Sequence, residues 1–413
     1  MVRPMTSEIR RIRDDELPAF IESMSAGFLE RPDVAKVAEQ VKPFWDLDRT
    51  WAAYDEARIV GTFRTWATEL TVPGCARLSG AAVTNVTVLP THRRRGLLSA
   101  MVAAEHGAIR ERGEAVGLLW ASEYPIYGRF GYGPGCRDTI LSIETKRTSF
   151  HGEAAGRVEL AEPDATSRDA IKAVFEAWRV RQPGEIRRRD VGWEFDLGLL
   201  ESAWEPRWKG FLALHRNDGG DVDGYVRYRA EGKWEKHQPR NILNVDELHA
   251  LNDEAYQDLW RFLTEIDWVA TVKAERRSPS ERLPWLLTNA RAATSSDPGE
   301  TIWVRLFDIP RALDARSYER EGSVVLEIVD SEAPGGRTRV HLEAGPSGAQ
   351  ARSTKRSPDL TLDVSALGAA YLGGARLRDA AVARGVDEHR LGALAEATAL
   401  FRTLDEPWCS TFF

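Results

Sequence analysis

A run of basic residues ending in glycine, Arg93–Gly96, is the part of the chain best suited to bind a phosphate group. It follows a predicted strand over Val83–Leu89 and opens a predicted helix over Gly96–Arg112. A helix N-terminus preceded by glycine offers N–H donors, positive charge and close approach, which together suit a pyrophosphate. The arginine run alone would favour a solvated turn. The strand before it and the tyrosines after it favour a coenzyme loop.

Three tyrosines lie in the turn-rich segment Ser122–Gly133, just after a predicted strand over Val116–Ala121. When an amine attacks a thioester, the amine must lose a proton and the departing thiolate benefits from gaining one. A phenol, with a pKa of about 10, can supply that proton as a general acid. Tyr127 fits packing or catalysis equally well on the residues alone, whereas Tyr124 and Tyr132 are better explained by packing. Together the loop and the tyrosines indicate acyl transfer from coenzyme A.

Composition bounds the class of protein. The 413 residues exceed the usual size of one core, which predicts two or three domains. A net charge of −7 argues weakly against general nucleic-acid binding. The three cysteines lack metal-binding spacing, which predicts reduced thiols in a cytoplasmic protein and no metal site. No secretory signal opens the chain, and no apolar run reaches the roughly 18 residues of a membrane span.

The order of predicted elements divides the chain into three mixed α and β units, over 1–150, 151–298 and 299–413. The first opens with a predicted strand over Ser7–Arg13. The second repeats the order strand, helix, strand around a predicted helix over Asp253–Ile266, but without an arginine–glycine loop. It is a candidate for a decayed duplicate of the first.

Two features mark the beginning and the end of the third unit. The stretch Ser278–Glu300 is rich in Ser, Pro and Asp, which predicts a linker, and the strand pattern from Thr301 onward predicts a separate α+β unit. The last seven residues, 407–413, are apolar. Because terminal tails are usually polar and frayed, we expect this one to dock on the protein.

The motifs THRRRGLL, ASE and IYGRFGYGP, at their mutual spacing, resemble the enhanced-intracellular-survival (Eis) family of acetyltransferases in the GNAT superfamily. The resemblance covers the whole chain and includes YLGG at Tyr371–Gly374. It implies a mixed α/β fold with two tandem GNAT-like domains, of which the first is active, and a C-terminal sterol-carrier-protein-like domain. It also implies a homohexamer that acetylates small-molecule amines, including several positions on aminoglycosides, with acetyl-CoA as the donor.

The resemblance assigns a set of residues to the coenzyme. The backbone of a splayed strand would pair with the pantetheine arm, a loop would hold the pyrophosphate, and two residues would line the reactive end. In that order these are Val86, Thr87 and Val88; then Arg94, Arg95, Gly96, Leu97, Leu98 and Ser99; then Ser122 and Glu123. Most GNAT proteins have Gly or Ala at the position of Leu98. The leucine here resembles the Eis proteins instead.

The resemblance also assigns the catalytic groups. Tyr127 would protonate the departing thiolate, and the terminal carboxylate of Phe413 would deprotonate the attacking amine, directly or through a water. Such a carboxylate is too weak a base in water, but burial beside apolar groups and a forming C–N bond would let it accept a proton. The alternative is that Phe412 and Phe413 only pack the tail.

The acceptor side follows the family less closely. Phe28, Glu30 and Trp45 fall near the positions that line an acidic, aromatic amine pocket in family members. Glu30 would attract an ammonium group and the rings could add cation–π attraction. Asn85 stands where some members have an aromatic residue, and Phe412 takes a position that can be acidic. Both changes could reduce the preference for polycationic sugars.

Two rival functions stay open on the sequence. One is an acetyltransferase for protein lysines or polyamines, which a long groove would favour over a wide acidic pocket. The other is a non-catalytic protein that binds a lipid or a coenzyme. Other candidate residues are weaker: His92 is expected to face solvent or a phosphate, and Arg187–Arg189 is most simply a charged surface turn.

Overall fold

The computed structural model describes residues 8–202, 204 and 206–413. Ser7, the first residue of the predicted first strand, lies outside them. The described residues form two seven-stranded sheets, one five-stranded sheet and a two-stranded ribbon, connected by helices. This confirms the predicted mixed fold class. In the same residues, no helix is both long enough and apolar enough to cross a membrane.

The first sheet carries the arginine–glycine loop. Its order is β1-β2-β3-β4-β5-β16-β6, and every pair is antiparallel except β4 and β5, which are joined by the helix α3. The elements of this part of the chain are β1 (Glu8–Arg11), α1 (Leu17–Gly27), α2 (Val34–Val41), β2 (Thr50–Asp55), β3 (Arg58–Thr71), β4 (Arg77–Val88), α3 (Leu97–Glu111), β5 (Val116–Trp120), α4 (Tyr124–Tyr127) and β6 (Gly133–Pro134).

The second sheet repeats this plan. Its order is β15-β7-β14-β13-β10-β9-β8, with one parallel pair, β13 and β14, joined by the helix α7. The elements are β7 (Arg137–Glu144), β8 (Arg157–Ala161), α5 (Ala165–Arg179), α6 (Asp190–Asp196), β9 (Phe211–Arg216), β10 (Val222–Glu231), β11 (Trp234–Glu235), β12 (Gln238–Pro239), β13 (Asn241–Ala250), α7 (Asp253–Glu265), β14 (Val269–Arg277), α8 (Leu283–Leu286) and β15 (Ala293–Glu300).

The third sheet has the order β19-β18-β17-β20-β21 and is accompanied by four helices within the described residues. The remaining elements are β16 (Ile302–Leu306), α9 (Ile309–Ala315), β17 (Gly322–Val329), β18 (Arg337–Gly345), β19 (Gly348–Ser353), β20 (Leu360–Asp363), α10 (Val364–Ala370), α11 (Leu377–Arg384), β21 (Val386–Glu388) and α12 (Ala393–Phe401).

The sheets exchange strands near both predicted boundaries. β7 precedes residue 150 but pairs in the second sheet, and β16 follows residue 298 but pairs with β5 in the first. The predicted linker over Ser278–Glu300 is wrong, because its last eight residues form β15 and pair with β7. Its Ser- and Asp-rich composition suits an exposed edge strand as well as a linker. The division at 150 and 298 stays a prediction.

The side chains of β3 alternate between two faces, one towards α3 and one towards the third unit. The hydroxyl of Thr65 donates to Glu105 on α3, so this face lies against the helix. Trp66, which points to the opposite face, belongs to a core cluster that also contains Leu326 and Leu342 of the third sheet. Because successive side chains of a strand point to opposite faces, β3 packs against α3 on one side and towards the third unit on the other.

The first sheet and the third unit approach very closely at Gly133. A Cβ placed on this glycine would lie 2.5 Å from the backbone nitrogen of Ala369 and would overlap the carbonyl oxygen of Ser365. The helix α10 therefore rests directly on β6, with no side chain between them. Only glycine permits this separation.

We predict that Gly133→Ala lowers the thermal unfolding temperature, because the added methyl group separates α10 from β6. Overpacking of this kind costs about 1–3 kcal/mol. Gly107→Ala is the matched control. A Cβ there meets nothing within 4 Å, and alanine inside a helix is favoured over glycine by roughly 0.5–1 kcal/mol. Calorimetry on both variants checks the prediction, and equal unfolding temperatures would contradict it.

Candidate active site

The strands β4 and β5 part inside the first sheet. Their parallel pairing runs from Gly80 to Val83 on β4, and Val83 faces Leu119. β4 then continues to Val88, still paired with β3 but, among the described residues, without a partner on β5. The backbone groups of Val86–Val88 that face the gap are therefore available to a ligand, since each residue carries one donor and one acceptor.

A β-bulge at Asn85 bends β4 where the gap opens. Asn85 has a φ of +54°, and the β3–β4 register shifts between Thr62 and Arg64. The hydroxyl of Thr62 donates to the carbonyl of Asn85 over 2.8 Å and so fixes the bulge. Bulges bend a strand and redirect its side chains. Here the bend moves the end of β4 away from β5.

The start of α3 lies beyond the open end of β4. Arg94 and Gly96 have φ values of +62° and +80°, and α3 begins at Leu97 with no side chain capping its first turn. The first N–H groups of a helix lack acceptors within it, so Leu97–Ser99 present donors to an anion. A Cβ on Gly96 would meet nothing within 4 Å, so the approach is open. This arrangement fits a pyrophosphate.

His92 does not face solvent or this anion site, contrary to the prediction. Its Nε2 lies 3.0 Å from Oδ2 of Asp55, and its Nδ1 lies 2.8 Å from the hydroxyl of Thr91. The ring is buried. His92 therefore braces the loop from behind rather than contributing to its open side.

Tyr127 shares a core cluster with the last paired residues of β4 and β5. It ends the short helix α4, is 7% exposed, and packs in the cluster that contains Val83 and Leu119. Burial, with a smaller contribution from the carboxylate of Glu123, raises the pKa of Tyr127 to about 12. The phenol therefore stays protonated at neutral pH, as a general acid must.

The other two tyrosines have different surroundings. Tyr132 is buried, and its hydroxyl lies 3.1 Å from Nε2 of His106. Tyr124 is 56% exposed, with its ring 4.9 Å from that of Trp303. Ser122 and Glu123, predicted to line the coenzyme, are exposed just beyond the end of β5.

The end of the chain docks beside β3 and the end of β5, which confirms the prediction for the tail. The ring of Phe413 lies 5.6 Å from that of Trp66 on β3, and the ring of Phe412 lies 5.2 Å from that of Trp120. Trp120, the last residue of β5, also donates its indole N–H to the carbonyl of Thr411 over 3.1 Å. The tail therefore reaches the end of β5 that leads to Ser122.

Side chains of the second unit hold this tail. The buried carboxylate of Glu185 accepts from the N–H and the hydroxyl of Ser410 over 2.8 and 2.7 Å. Arg188 donates to the hydroxyl of Thr411 over 2.8 Å and forms an ion pair with Glu247. The interpretation of Arg188 as part of a charged surface turn is therefore wrong.

The predicted acceptor residues separate into two groups. Trp45 and Asn85 are joined through Arg64, whose guanidinium carbon lies 4.3 Å from the Trp45 ring centroid and whose Nε donates to Asn85 over 2.8 Å. Phe28 and Glu30 are exposed at the end of α1. Within the described part of the chain, no hydrogen bond or ring contact joins their side chains to the other two.

A cleft of about 520 Å³ opens beside the docked tail. Residues 66–69 of β3 line one side, and Phe44 with residues 187–191 lines the other. Sequence reasoning did not select Arg64, Trp66 or Glu185 as site residues. Nothing in their local pattern marks them, because strands and loops far apart in the chain bring them together.

Comparison with known proteins identifies the chain. Residues 8–135 and residues 184–306 match two families, each described as an acetyltransferase (GNAT) domain, and residues 309–410 match a sterol carrier protein domain. N-acetyltransferase Eis of Mycobacterium tuberculosis is 34% identical over 336 residues, which cover 79% of each chain. The chain belongs to the Eis family of GNAT acetyltransferases. The predicted order of two GNAT domains and a sterol-carrier-like domain is confirmed.

Other relatives match over nearly the full length. A Streptomyces griseus protein described as an uncharacterized N-acetyltransferase is 38% identical over 99% of this chain and all of its own. The crystal structure of Eis1 from Mycobacterium abscessus matches with a TM-score of 0.86 and 32% identity, over 98% of this chain and all of that one. This chain is therefore an N-acetyltransferase rather than a non-catalytic protein, and its GNAT domains imply an acyl-CoA donor.

We predict that Arg94→Gln weakens coenzyme A binding about tenfold or more, since hydrogen bonds to charged groups contribute roughly 1.5–3 kcal/mol. Isothermal titration would measure it. S-acetylpantetheine, which lacks the pyrophosphate, is the matched control and should bind the variant and the wild type equally. Equal losses for both ligands would show that Arg94 acts on the fold of the loop rather than on the pyrophosphate.

Proposed function

We propose that this enzyme transfers the acetyl group of acetyl-CoA directly to a primary amine. The observation that carries the proposal is that Tyr127 is buried in the same core cluster as Val83 and Leu119, the last paired residues of β4 and β5. A thioester held between the parted strands would meet this phenol. No covalent acetyl-enzyme is required.

In this proposal the coenzyme lies across the open end of the first sheet. The backbone of Val86–Val88 pairs with the pantetheine arm, as the parted strand allows. Arg94–Ser99 holds the pyrophosphate at the start of α3. Ser122 and Glu123, exposed just past β5, line the coenzyme near the thioester.

Tyr127 acts as the general acid. As the amine nitrogen bonds to the acetyl carbon, the carbon–sulfur bond breaks and the thiolate takes the phenolic proton. The pKa of about 12 keeps Tyr127 protonated until that step. The same apolar surroundings raise the pKa of the thiolate, so the two groups are better matched than in water. Tyr127 then regains a proton from solvent.

For a chain that ends at Phe413, we propose that the terminal carboxylate accepts the proton of the attacking amine, directly or through one water. In water the pKa of a carboxylate is about six units below that of an amine. The carboxylate therefore takes the proton only as the C–N bond forms, because the nitrogen then becomes acidic. The rings of Trp66 and Trp120 pack against Phe413 and Phe412. They hold the end of the chain against apolar surface.

The family resemblance proposes aminoglycosides as acceptors, with protein lysines and polyamines as alternatives, and a cytoplasmic homohexamer as the assembly. The cleft of about 520 Å³ beside the docked tail is the proposed place for the acceptor. Trp45 and Asn85, joined through Arg64, would lie at the inner end of the acceptor site. Phe28 and Glu30 would lie at its entrance.

Free thiol released from acetyl-CoA, measured against a panel of amines, tests the function. The panel contains kanamycin, neomycin, spermidine and a lysine peptide. Thiol release that depends on the amine supports the proposal, and the order of the four amines tests the acceptor. A burst of thiol equal to the enzyme concentration without any amine would show an acetyl-enzyme and contradict direct transfer.

We predict that Tyr127→Phe lowers kcat by about 10²–10⁴, the usual contribution of a general acid, and leaves the affinity for acetyl-CoA unchanged. Tyr124→Phe is the matched control, because this exposed tyrosine lies in the same helix. Its kcat should equal that of the wild type. Since the pKa of Tyr127 is about 12, loss of its proton should not lower kcat between pH 7 and 10. Full turnover by Tyr127→Phe would show that Tyr127 is not the general acid.

A further inference from the structure

The cleft beside the tail is lined by charges of both signs, and both carboxylates, as well as Arg188, have ion-pair partners. Oε2 of Glu69 lies 3.2 Å from a guanidinium nitrogen of Arg179. Oδ1 of Asp190 lies 2.8 Å from Nζ of Lys172. Neither carboxylate is therefore left as a dedicated partner for an ammonium group in the cleft.

Arg189 has no such partner. Its guanidinium carbon lies 5.3 Å from the ring centroid of Trp66, the ring that also contacts Phe413. Among the described residues, no carboxylate lies within ion-pair distance of Arg189. Burial alone lowers the pKa of Arg189. The cation is partly removed from water and compensated only by an aromatic face.

Arg64 is a second cation of this kind and is more deeply buried. It is 4% exposed, lies two residues before Trp66 and so shares its face of β3. Its partners are the Trp45 ring and the Asn85 side chain, both neutral. Burial, reinforced by the charge of Arg189, lowers the pKa of Arg64, with a smaller opposing effect from Asp46. In the described chain, no carboxylate forms an ion pair with it.

Arg64 is buried and its neighbour Arg189 is partly buried, and cations without counter-charges in such places are costly in any folded protein. Such an arrangement is expected where a ligand brings the missing anion, because guanidinium groups bind carboxylate and phosphate groups with paired hydrogen bonds. Arg187, exposed at the edge of the same cleft, adds a third positive charge. The place of these residues beside Trp66 and the docked tail makes that ligand the acetyl acceptor.

We propose that the preferred acceptor is an amine that also carries an anionic group, a carboxylate or a phosphate, which Arg64 and Arg189 bind while the amine approaches Phe413. The inference rests on the proposed function and specifies its acceptor. Trp45 and Trp66 flank the anion site with apolar surface. A polycationic aminoglycoside would instead bring ammonium groups against two guanidinium groups, and like charges in contact oppose binding.

Matched pairs of acceptors test the inference. 6-Aminohexanoate is compared with 6-aminohexanamide, and O-phosphoethanolamine with ethanolamine, so the two arms separate carboxylate from phosphate. We expect wild-type kcat/KM to be at least tenfold higher for the anionic member of at least one pair. Arg189→Gln should reduce that ratio to near one by lowering only the anionic member. Arg189→Lys should restore part of it, and Arg181→Gln, an exposed residue outside the cleft, should leave it unchanged.

Binding provides a second readout that does not need turnover. Isothermal titration of each amine into enzyme saturated with coenzyme A should show tighter binding of the anionic member, lost in Arg189→Gln. Turnover of all amines without an anionic preference would overturn the inference and leave the proposed function standing. Anionic binding without any turnover would support the inference and remove the function. An equal fall of kcat on every amine in Arg189→Gln would show that Arg189 serves the Phe413 carboxylate instead.

Discussion

The structure depends on one buried carboxylate, that of Glu185, which ties all three units together. The backbone carbonyl of Glu185 accepts a hydrogen bond from the N–H of Thr71 at the end of β3. Its side chain accepts from the N–H of Ile186 over 3.0 Å and from both donors of Ser410. Within the described residues it has no ion pair. Because a buried charge held only by fixed donors is strained by any displacement of them, the tail has one well-defined position.

The two GNAT domains differ at the start of the helix that joins their parallel strands. The helix α3 begins after Gly96, with no side chain capping its first turn. The helix α7 begins at Asp253 and is capped by Asn252, whose side chain accepts from the N–H of Ala255 over 2.8 Å. Its first turn carries Asp253 and Glu254. The second helix therefore satisfies its own donors and repels an anion. This difference supports placing the proposed phosphate site in the first domain rather than in the second.

Local features of the sequence predicted local features of the structure. The loop at Arg93–Gly96, the helix after it and the docking of the apolar tail all follow from patterns within about twenty residues. The start of β4 was not predicted correctly. The strand begins at Arg77 rather than at Val83, because Ser79 and Gly80 weaken its strand pattern. The sequence also did not predict that β7 and β16 pair in the neighbouring sheets, since the sheet that a strand joins depends on residues far away in the chain.

The acceptor side was the least predictable part of the site. Arg64 lies inside a largely buried strand of mixed composition, and Arg189 belongs to a basic run that resembles any surface turn. Their significance appears only when β3, the loop after α5 and the tail are seen together. Because these residues come together from separate domains, no local spacing in the sequence could have predicted their arrangement.

The position of the chain end is the central claim, because it joins the fold to the chemistry. The most direct test compares kcat of the chain ending at Phe413 with that of a chain extended by two glycines. An equal insertion between Asp218 and Gly219, in an exposed turn, serves as the control. The account predicts that the extension lowers kcat at least tenfold with unchanged affinity for acetyl-CoA, while the control insertion has no effect. Wild-type turnover by the extended chain would contradict it.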